Sequence, residues 1–461
     1  MFFEQFYLGC LAHASYMLWS GDQAIVVDPQ RDVDLYLEVA AREGFRISGV
    51  IETHFHADFV SGHRELAERT GADIYLGRRA EAAFPHRRVG DGDELTFGRC
   101  RLRFLETPGH TLESISVLVT DVERSPEPFA VLTGDTLFIG EVGRPDLSEQ
   151  YTPQQLAAML YDSLWQKLLT LPDEIVVYPA HGAGSMCGRN IGQSRNSTIG
   201  EQRRFNYALQ VRRKEDFVRL LTADLPPRPG YFLRDAEINR RGARALDALP
   251  PLLPLDAHQV DALPGGRVLL LDTRAGSEYS SAHIPGSLQI GLNGQYAMWA
   301  GALIGLDQEV ILVASDRPAA EESRNRLARV GIEKVTGYLD GGIAAWAAAG
   351  KKLVSTGQIS IQELSDCLRD DRGGVQVLDV RRPTEWKDGH LPGALLHPLD
   401  HFPAAGPPLD PERPVAAHCK GGYRSIIACS LLERARFREP LNVPGGFDAW
   451  QAAGLPYQKN S

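Results

Sequence analysis

The chain has 461 residues, 43% of them apolar and 23% charged, and a formal net charge of −10. That length exceeds what one core supports and suggests about three domains, and the acidic balance argues against nucleic-acid partners. No apolar run reaches the roughly 18 residues of a membrane span, Met1-Phe2-Phe3-Glu4 lacks the basic start of a signal peptide, and six cysteines are too sparse for a disulfide scaffold, so a reducing cytoplasm is the expected compartment.

From Phe6 to about Asp135 short β-rich runs alternate with helix-like segments. Residues 24–28 read as a strand entered through the turn Ser20-Gly21-Asp22. Residues 34–44 carry Leu35, Val39 and Ala40 at helical spacing, with Gly44 as the stop. The apolar pair Val50-Ile51 then runs into Thr53-His54-Phe55-His56-Ala57-Asp58-Phe59. Two histidines at i and i+2 followed by an aspartate at a strand end gather metal-ligating groups. Further strands are expected at 102–105, 117–119, 130–132 and 175–178, each ending in a polar cluster. The clusters hold Thr107-Pro108-Gly109-His110-Thr111, Thr133-Gly134-Asp135-Thr136 and Tyr178-Pro179-Ala180-His181-Gly182. A lone histidine on such a loop is best read as a hydrogen-bonded residue. Four such loops in order favour a metal centre.

These loops resemble those of the metallo-β-lactamase superfamily, where many members read His-x-His-x-Asp-His and hold two metals. The resemblance implies an αββα sandwich. Phe59 stands where the last histidine would be and cannot ligate, which weakens a second metal site and two-metal hydrolysis with it. Two histidines and one carboxylate with open positions form the facial triad of non-haem Fe(II) oxygenases. Residues 53–58, Thr-Pro-Gly-His-Thr, Thr-Gly-Asp and Gly143-Arg144-Pro145-Asp146 are similar to the persulfide dioxygenases. That resemblance implies one Fe(II) per chain on His54, His110 and Asp135, with zinc as a substitute. His56, Asp58 and His181 would then orient ligands or ordered water. Several of those dioxygenases keep a histidine at the position of Phe59, where it is not an iron ligand. Glyoxalase II, which hydrolyses a glutathione thioester with two metals, shares most of these motifs and is the rival.

The run 182–190 after His181 looks like that of dioxygenase–rhodanese fusion proteins. Its glycines permit close backbone approach, and Cys187 is expected near the metal-bearing strand ends, either handling persulfide or as an inert buried thiol. Arg144 and Arg189 are expected to hold the carboxylates of a thiol carrier, with an ion pair as the alternative.

Leu249-Pro250-Pro251-Leu252-Leu253-Pro254 reads as a linker. Beyond it the sequence repeats. Leu271-Asp272-Thr273-Arg274 returns as Leu378-Asp379-Val380-Arg381, and Glu278 as Glu385. His283-Ile284-Pro285-Gly286 returns as His390-Leu391-Pro392-Gly393, and the Gly341-Gly342…Trp346 stretch as Gly445-Gly446…Trp450. Each copy is about 100 residues of alternating strand and helix, a small parallel α/β domain. Both resemble rhodanese domains. In the second copy Cys419-Lys420-Gly421-Gly422-Tyr423-Arg424-Ser425 follows a strand and opens a helix. Backbone N–H groups at a helix start, with Lys420 and Arg424 alongside, favour a thiolate and can bind sulfite or thiosulfate oxygens. The loop matches rhodanese sulfurtransferases, which carry sulfane sulfur as a cysteine persulfide. In the first copy Asp316 stands in place of the cysteine, so that copy is expected to be catalytically silent.

The expected domains are 1–248 (persulfide dioxygenase), 256–352 (silent rhodanese-like) and 357–461 (active rhodanese). The architecture resembles bacterial multidomain persulfide dioxygenases of sulfide detoxification. It implies oxidation of a thiol persulfide, of glutathione or a similar carrier, by dioxygen to thiol and sulfite. Cys419 would couple this to thiosulfate sulfurtransferase chemistry between persulfide, sulfite and thiosulfate. Nucleic acid and membrane are not expected partners, and a homo-oligomer is left open. The alternatives are a glyoxalase II-type hydroxyacylglutathione hydrolase fused to a sulfurtransferase, and a sulfide-responsive interaction protein.

Overall fold

The structure is a computed structural model that describes every residue except 224, 226, 227, 265, 371–373, 460 and 461. The chain forms two units, Met1–Leu249 with Ala328–Gly331, and Pro250–Leu327 with Ile332–Ser461. Among the described residues no helix is long and apolar enough to cross a membrane.

In the first unit, β1 (Phe2–Leu8), β2 (His13–Ser20), β3 (Gln23–Val27), β4 (Arg46–Ile51), β5 (Asp73–Gly77) and β6 (Arg87–Val89) form one sheet in that order. A second sheet has the order β12 (Ser197–Thr198), β11 (Val176–Pro179), β10 (Ala130–Gly134), β9 (Ile115–Asp121), β8 (Cys100–Glu106), β7 (Glu94–Phe97). Tyr16, Val27 and Ile51 of the first sheet pack against Leu102, Val117 and Leu132 of the second in a shared core. The outer faces are covered by α1 (Asp34–Glu43) and α2 (His63–Thr70) on one side, and by α3 (Pro153–Gln166) and α5 (Lys214–Thr222) on the other. Two further helices, α4 (Ile199–Phe205) and α6 (Phe232–Arg241), lie in the last part of the unit. This is the expected αββα sandwich. Two buried faces per sheet explain why β3, β9 and β10 read as continuous apolar runs rather than alternating ones. Helix α1 ends as its sequence indicates: Gly44 adopts φ 75° and its N–H bonds Ala40 O.

The second unit holds two sheets with the same internal order. The first runs β13 (Leu253–Leu255), β17 (Val335–Leu339), β16 (Glu309–Val313), β14 (Val268–Asp272), β15 (Leu288–Gln289). The second runs β18 (Gly357–Gln358), β22 (Pro440–Asn442), β21 (Val415–His418), β19 (Gln376–Asp379), β20 (Leu395–Leu396). The strand pairings within these two sheets are parallel. The end of the proline-rich stretch, expected as linker, is instead the edge strand β13, with Pro254 opposite Tyr338. An edge strand pairs on one side alone, so it tolerates a residue without an N–H.

The repeated Asp-x-Arg and His-x-Pro-Gly motifs make the same scaffold contacts in both copies. Arg381 forks onto Asp379 and also donates to Gly389 O, and Arg274 does the same with Asp272 and Ala282 O. His390 and His283 each hydrogen-bond a backbone carbonyl four residues earlier, at Trp386 and Tyr279.

Candidate functional site

The metal-ligand candidates sit on loops at the carboxyl ends of β4, β10 and β11 and after β8. Parallel pairing brings the ends of β3 and β4 together, with Val27 opposite Ile51. Asp28, in the left-handed region at φ 51°, turns its carboxylate onto the next strand's exit. Its Oδ1 accepts Thr53 N–H at 2.7 Å and its Oδ2 the Thr53 hydroxyl at 2.9 Å. Two glycines in the motifs are sterically required. A Cβ on Gly134 (φ 51°) would lie 2.6 Å from Thr53 Oγ1, and one on Gly109 (φ 144°) 2.4 Å from Leu160 of α3.

Hydrogen bonding then fixes which atoms face the centre. The Thr53 hydroxyl is already donating, so His54 Nδ1 at 3.0 Å is the donor to it. His110 Nδ1 donates to Arg144 O at 3.0 Å. Each ring therefore presents a bare Nε2. Asp135 Oδ1 is held by His181 Nδ1 at 2.8 Å, which leaves Oδ2. These three remaining atoms are buried and have no hydrogen-bond partner among the described residues. They face one another: His110 Nε2 is 3.3 Å and His54 Nε2 3.7 Å from Asp135 Oδ2. Two ligands about 2.1 Å from a metal and at right angles lie about 3 Å apart, so the set fits a cation. Burial holds the His54 imidazole well below its usual range and His110 below it, so both rings are neutral. Burial alone would raise Asp135, but His181, charged and hydrogen-bonded to it, holds its carboxyl well below the usual carboxylate range.

The remaining sequence candidates surround this set. His181 Nε2 lies 2.9 Å from Asp58 Oδ2; burial opposes its charge, but Asp135 and Asp58 override this and raise it well above the usual range. His56 Nε2 turns to Asp28 Oδ1 at 3.2 Å and Glu52 Oε2 at 3.7 Å. The ligating atoms of His56, Asp58 and His181 also lie within 4.8 Å of one another, a second group able to hold a metal. Phe59 is 1% exposed and its ring lies 4.5 Å from that of His56 as an apolar wall. Cys187 Sγ lies within 4.8 Å of ligand atoms of Asp135 and His181, and burial raises its thiol well above its usual range. Arg144 is buried, with its guanidinium bidentate on Asp146 at 2.6 and 2.8 Å and donating to Met186 O. Arg189 donates to the carbonyls of Leu221 and Ala223. Both arginines line one groove together with Glu141, Gly143, Met186 and Tyr207.

Sequence reasoning did not single out several groups here. His13, at the start of β2, is fully buried with its ring 4.1 Å from Phe59 and 5.5 Å from both His56 and His181. Asp28, Glu52, Asp235 and Asn239 are likewise buried around the loop. Asp28 carried a signal, as a carboxylate at the end of a strand beside the ligand-bearing one. Glu52, directly after β4 and beside Thr53, carried the same signal, whereas His13, Asp235 and Asn239 have none in their local sequence.

In the second unit, Cys419 is 1% exposed, with Gly422 N–H donating to its Sγ at 3.1 Å and the Sγ–H donating to Ser425 Oγ at 3.8 Å. The repeated Gly-Gly segment supplies Phe447 and Asp448, whose N–H groups bond the carbonyls of Cys419 and Lys420. Lys420 is exposed. Arg424 is half-buried and bidentate on Glu385, both bonds 2.7 Å. Beside the loop lies a cleft of about 400 Å³, lined by Gly421, Gly422 and Asn442 and by Ser277 and Asn293 of the other repeat. Asp316, at the corresponding place in the first repeat, is exposed and accepts Ala319 N–H at 2.8 Å as the cap of helix Arg317–Ala328.

An αββα sandwich with a His/Asp cradle at its strand ends, followed by paired parallel domains of which one carries a cysteine loop, defines a metallo-β-lactamase-type protein joined to rhodanese-like domains. The sequence profile of the metallo-beta-lactamase superfamily matches residues 8–181, and that of the rhodanese-like domain matches 256–349 and 360–453. Persulfide dioxygenase ETHE1, mitochondrial, from Bos taurus is 30% identical over 212 residues, 45% of this chain and 74% of that protein. A hydroxyacylglutathione hydrolase from Brucella anthropi is 36% identical over 142 residues, 30% of this chain and 49% of that one. The crystal structure of a metallo-beta-lactamase from Staphylococcus aureus subsp. aureus COL is 32% identical, covers 73% of this chain and 98% of its own, and superposes with a TM-score of 0.67. The chain belongs to the metallo-beta-lactamase superfamily with two tandem rhodanese domains, and its N-terminal region resembles the ETHE1 persulfide dioxygenases.

Proposed function

We propose that the first unit oxidises a low-molecular-weight thiol persulfide with dioxygen, and that Cys419 moves sulfane sulfur among persulfide, sulfite and thiosulfate. The balance is one persulfide, one dioxygen and one water giving thiol, sulfite and two protons. The observation that carries the reading is the convergence of three buried, unpartnered ligand atoms from His54, His110 and Asp135, each with its other polar atom already fixed. A single Fe(II) held there would supply dioxygen activation and open positions for the substrate sulfur. The chain's own groups do the rest. His181 and Asp58 hold Asp135, Phe59 excludes water on one side, and Cys187 is a protonated thiol beside the centre. Arg144 and Arg189 are the cations that would meet the carboxylates of a thiol carrier. At the second site, Gly422 N–H and Lys420 would bind the transferred sulfur and the anionic donor.

The likeness to hydroxyacylglutathione hydrolases and the His56–Asp58–His181 group favour a second reading, thioester hydrolysis with two metals. Metal analysis of purified protein, paired with oxygen uptake on glutathione persulfide and hydrolysis of lactoylglutathione, separates the two. About one iron per chain with oxygen uptake is expected. Two zincs per chain with fast thioester cleavage would establish the rival.

A further inference from the structure

The loop that carries His56 and Asp58 has left β4 and lies outside both sheets, so its backbone polar groups need partners from elsewhere. Three of them meet one side chain. Asn239 of α6 donates from Nδ2 to His56 O at 2.7 Å and to Phe59 O at 2.8 Å, and its Oδ1 accepts Ser61 N–H at 2.8 Å. Asn239 is 0% exposed and lies 183 residues along the chain from His56. A carboxamide is the smallest side chain that donates twice and accepts once, so no other short residue satisfies all three groups.

The contacts continue inward from that loop. Asp58, between two of the bonded positions, reaches His181 Nε2 at 2.9 Å. His181 Nδ1 binds Asp135 Oδ1 at 2.8 Å, and Asp135 Oδ2 is the atom turned to the centre. We propose that Asn239 is a positioning residue of the metal centre, holding residues 56–61 in the one arrangement in which Asp58 fixes His181 and His181 fixes Asp135. Helix α6 thereby belongs to the centre although it supplies no ligand. The inference rests on the reading of His54, His110 and Asp135 as the metal set.

The test compares full-length Asn239→Asp and Asn239→Ser with wild type and Asp58→Asn, all loaded with Fe(II). Asn239→Asp keeps shape and the acceptor for Ser61 but loses both donors. The readouts are the rate of iron loss to a chelator, the electron paramagnetic resonance spectrum of the nitric oxide adduct, and the melting of the metal-free protein. Both Asn239 variants should release iron roughly 10–100-fold faster, as loss of groups behind a ligand does, with an altered adduct spectrum. Asp58→Asn should reproduce the change, and Asn239→Ser with Asp58→Asn should add little beyond either alone, since both act through one path. Folded Asn239 variants with wild-type iron release and spectrum would overturn the proposal. If both fail to fold, Asp58→Asn decides alone: wild-type retention in that variant breaks the path and overturns it. A wild-type protein that binds no metal would instead defeat the assignment of the centre itself.

Discussion

Phe59 and Glu385 show how single side chains shape the two candidate sites. Phe59 fills the position from which a histidine would reach the second group, leaving that group His56, Asp58 and His181. Phe59→His should raise zinc uptake above the wild-type level, toward two per chain, when the apoprotein is titrated with zinc. Unchanged stoichiometry would mean that the ring at 59 does not control the second position. Glu385 acts on the other site by binding Arg424 through two hydrogen bonds. Burial opposes ionisation of Glu385, but Arg424 overrides it and lowers the carboxyl from 4.5 to about 2. A carboxyl depressed in the folded state stabilises fully above its unfolded value and loses that contribution as pH falls through its folded value. The stability difference between wild type and Glu385→Gln should therefore be constant above about pH 4.5 and shrink toward pH 2, measured by denaturant melts along that range. A difference that does not change with pH would show that the pair contributes nothing.

At the scale of elements, the two repeats diverge just after the central strand of each sheet. In the second, β21 runs into the Cys419 loop and helix Tyr423–Arg434. In the first, β16 runs into a turn where Asp316 caps helix Arg317–Ala328. An aspartate in this role is a helix cap and offers no thiolate. Asp316→Ala should cost about 1 kcal/mol of stability, the usual worth of such a cap, and leave sulfur transfer within a few-fold of wild type. A large loss of transfer would assign the first repeat a chemical part. That repeat also braces helix Tyr423–Arg434. Glu433 accepts from His283 at 2.8 Å and Gly286 N–H at 3.2 Å, Gln289 N–H donates to Ser430 at 3.1 Å, and the Tyr423 hydroxyl donates to Gly291 O at 2.7 Å.

For the whole molecule, the division into two units predicts separable chemistry. His110→Ala should lose iron and oxygen uptake while Cys419 still gains a sulfur atom from thiosulfate, read by mass spectrometry. Cys419→Ser should show the converse. Sulfur found on Cys367 or Cys429 instead would reassign the transfer site. Much of this organisation is legible in the sequence alone. The repeat, the ligand-bearing loops and the Cys419 loop depend on local periodicity, turn chemistry and short motifs, all written within a few residues. The helix ending at Gly44 and the strands around 102–105 and 130–132 are legible for the same reason. Residues 253–255 are not, because an edge strand is defined by the neighbour it pairs with and proline hides it from pattern reading. The tertiary structure alone decides that Asn239 holds the loop at His56, that Asp58 and His181 back Asp135, that His13 lies against Phe59, and that Arg424 is neutralised by Glu385. These partners lie between 39 and 183 residues apart where they are hydrogen-bonded, and local sequence does not encode which distant side chain will be brought within 3 Å. Folding selects them because a buried polar group must find a partner, and the chain's topology determines which one is in reach.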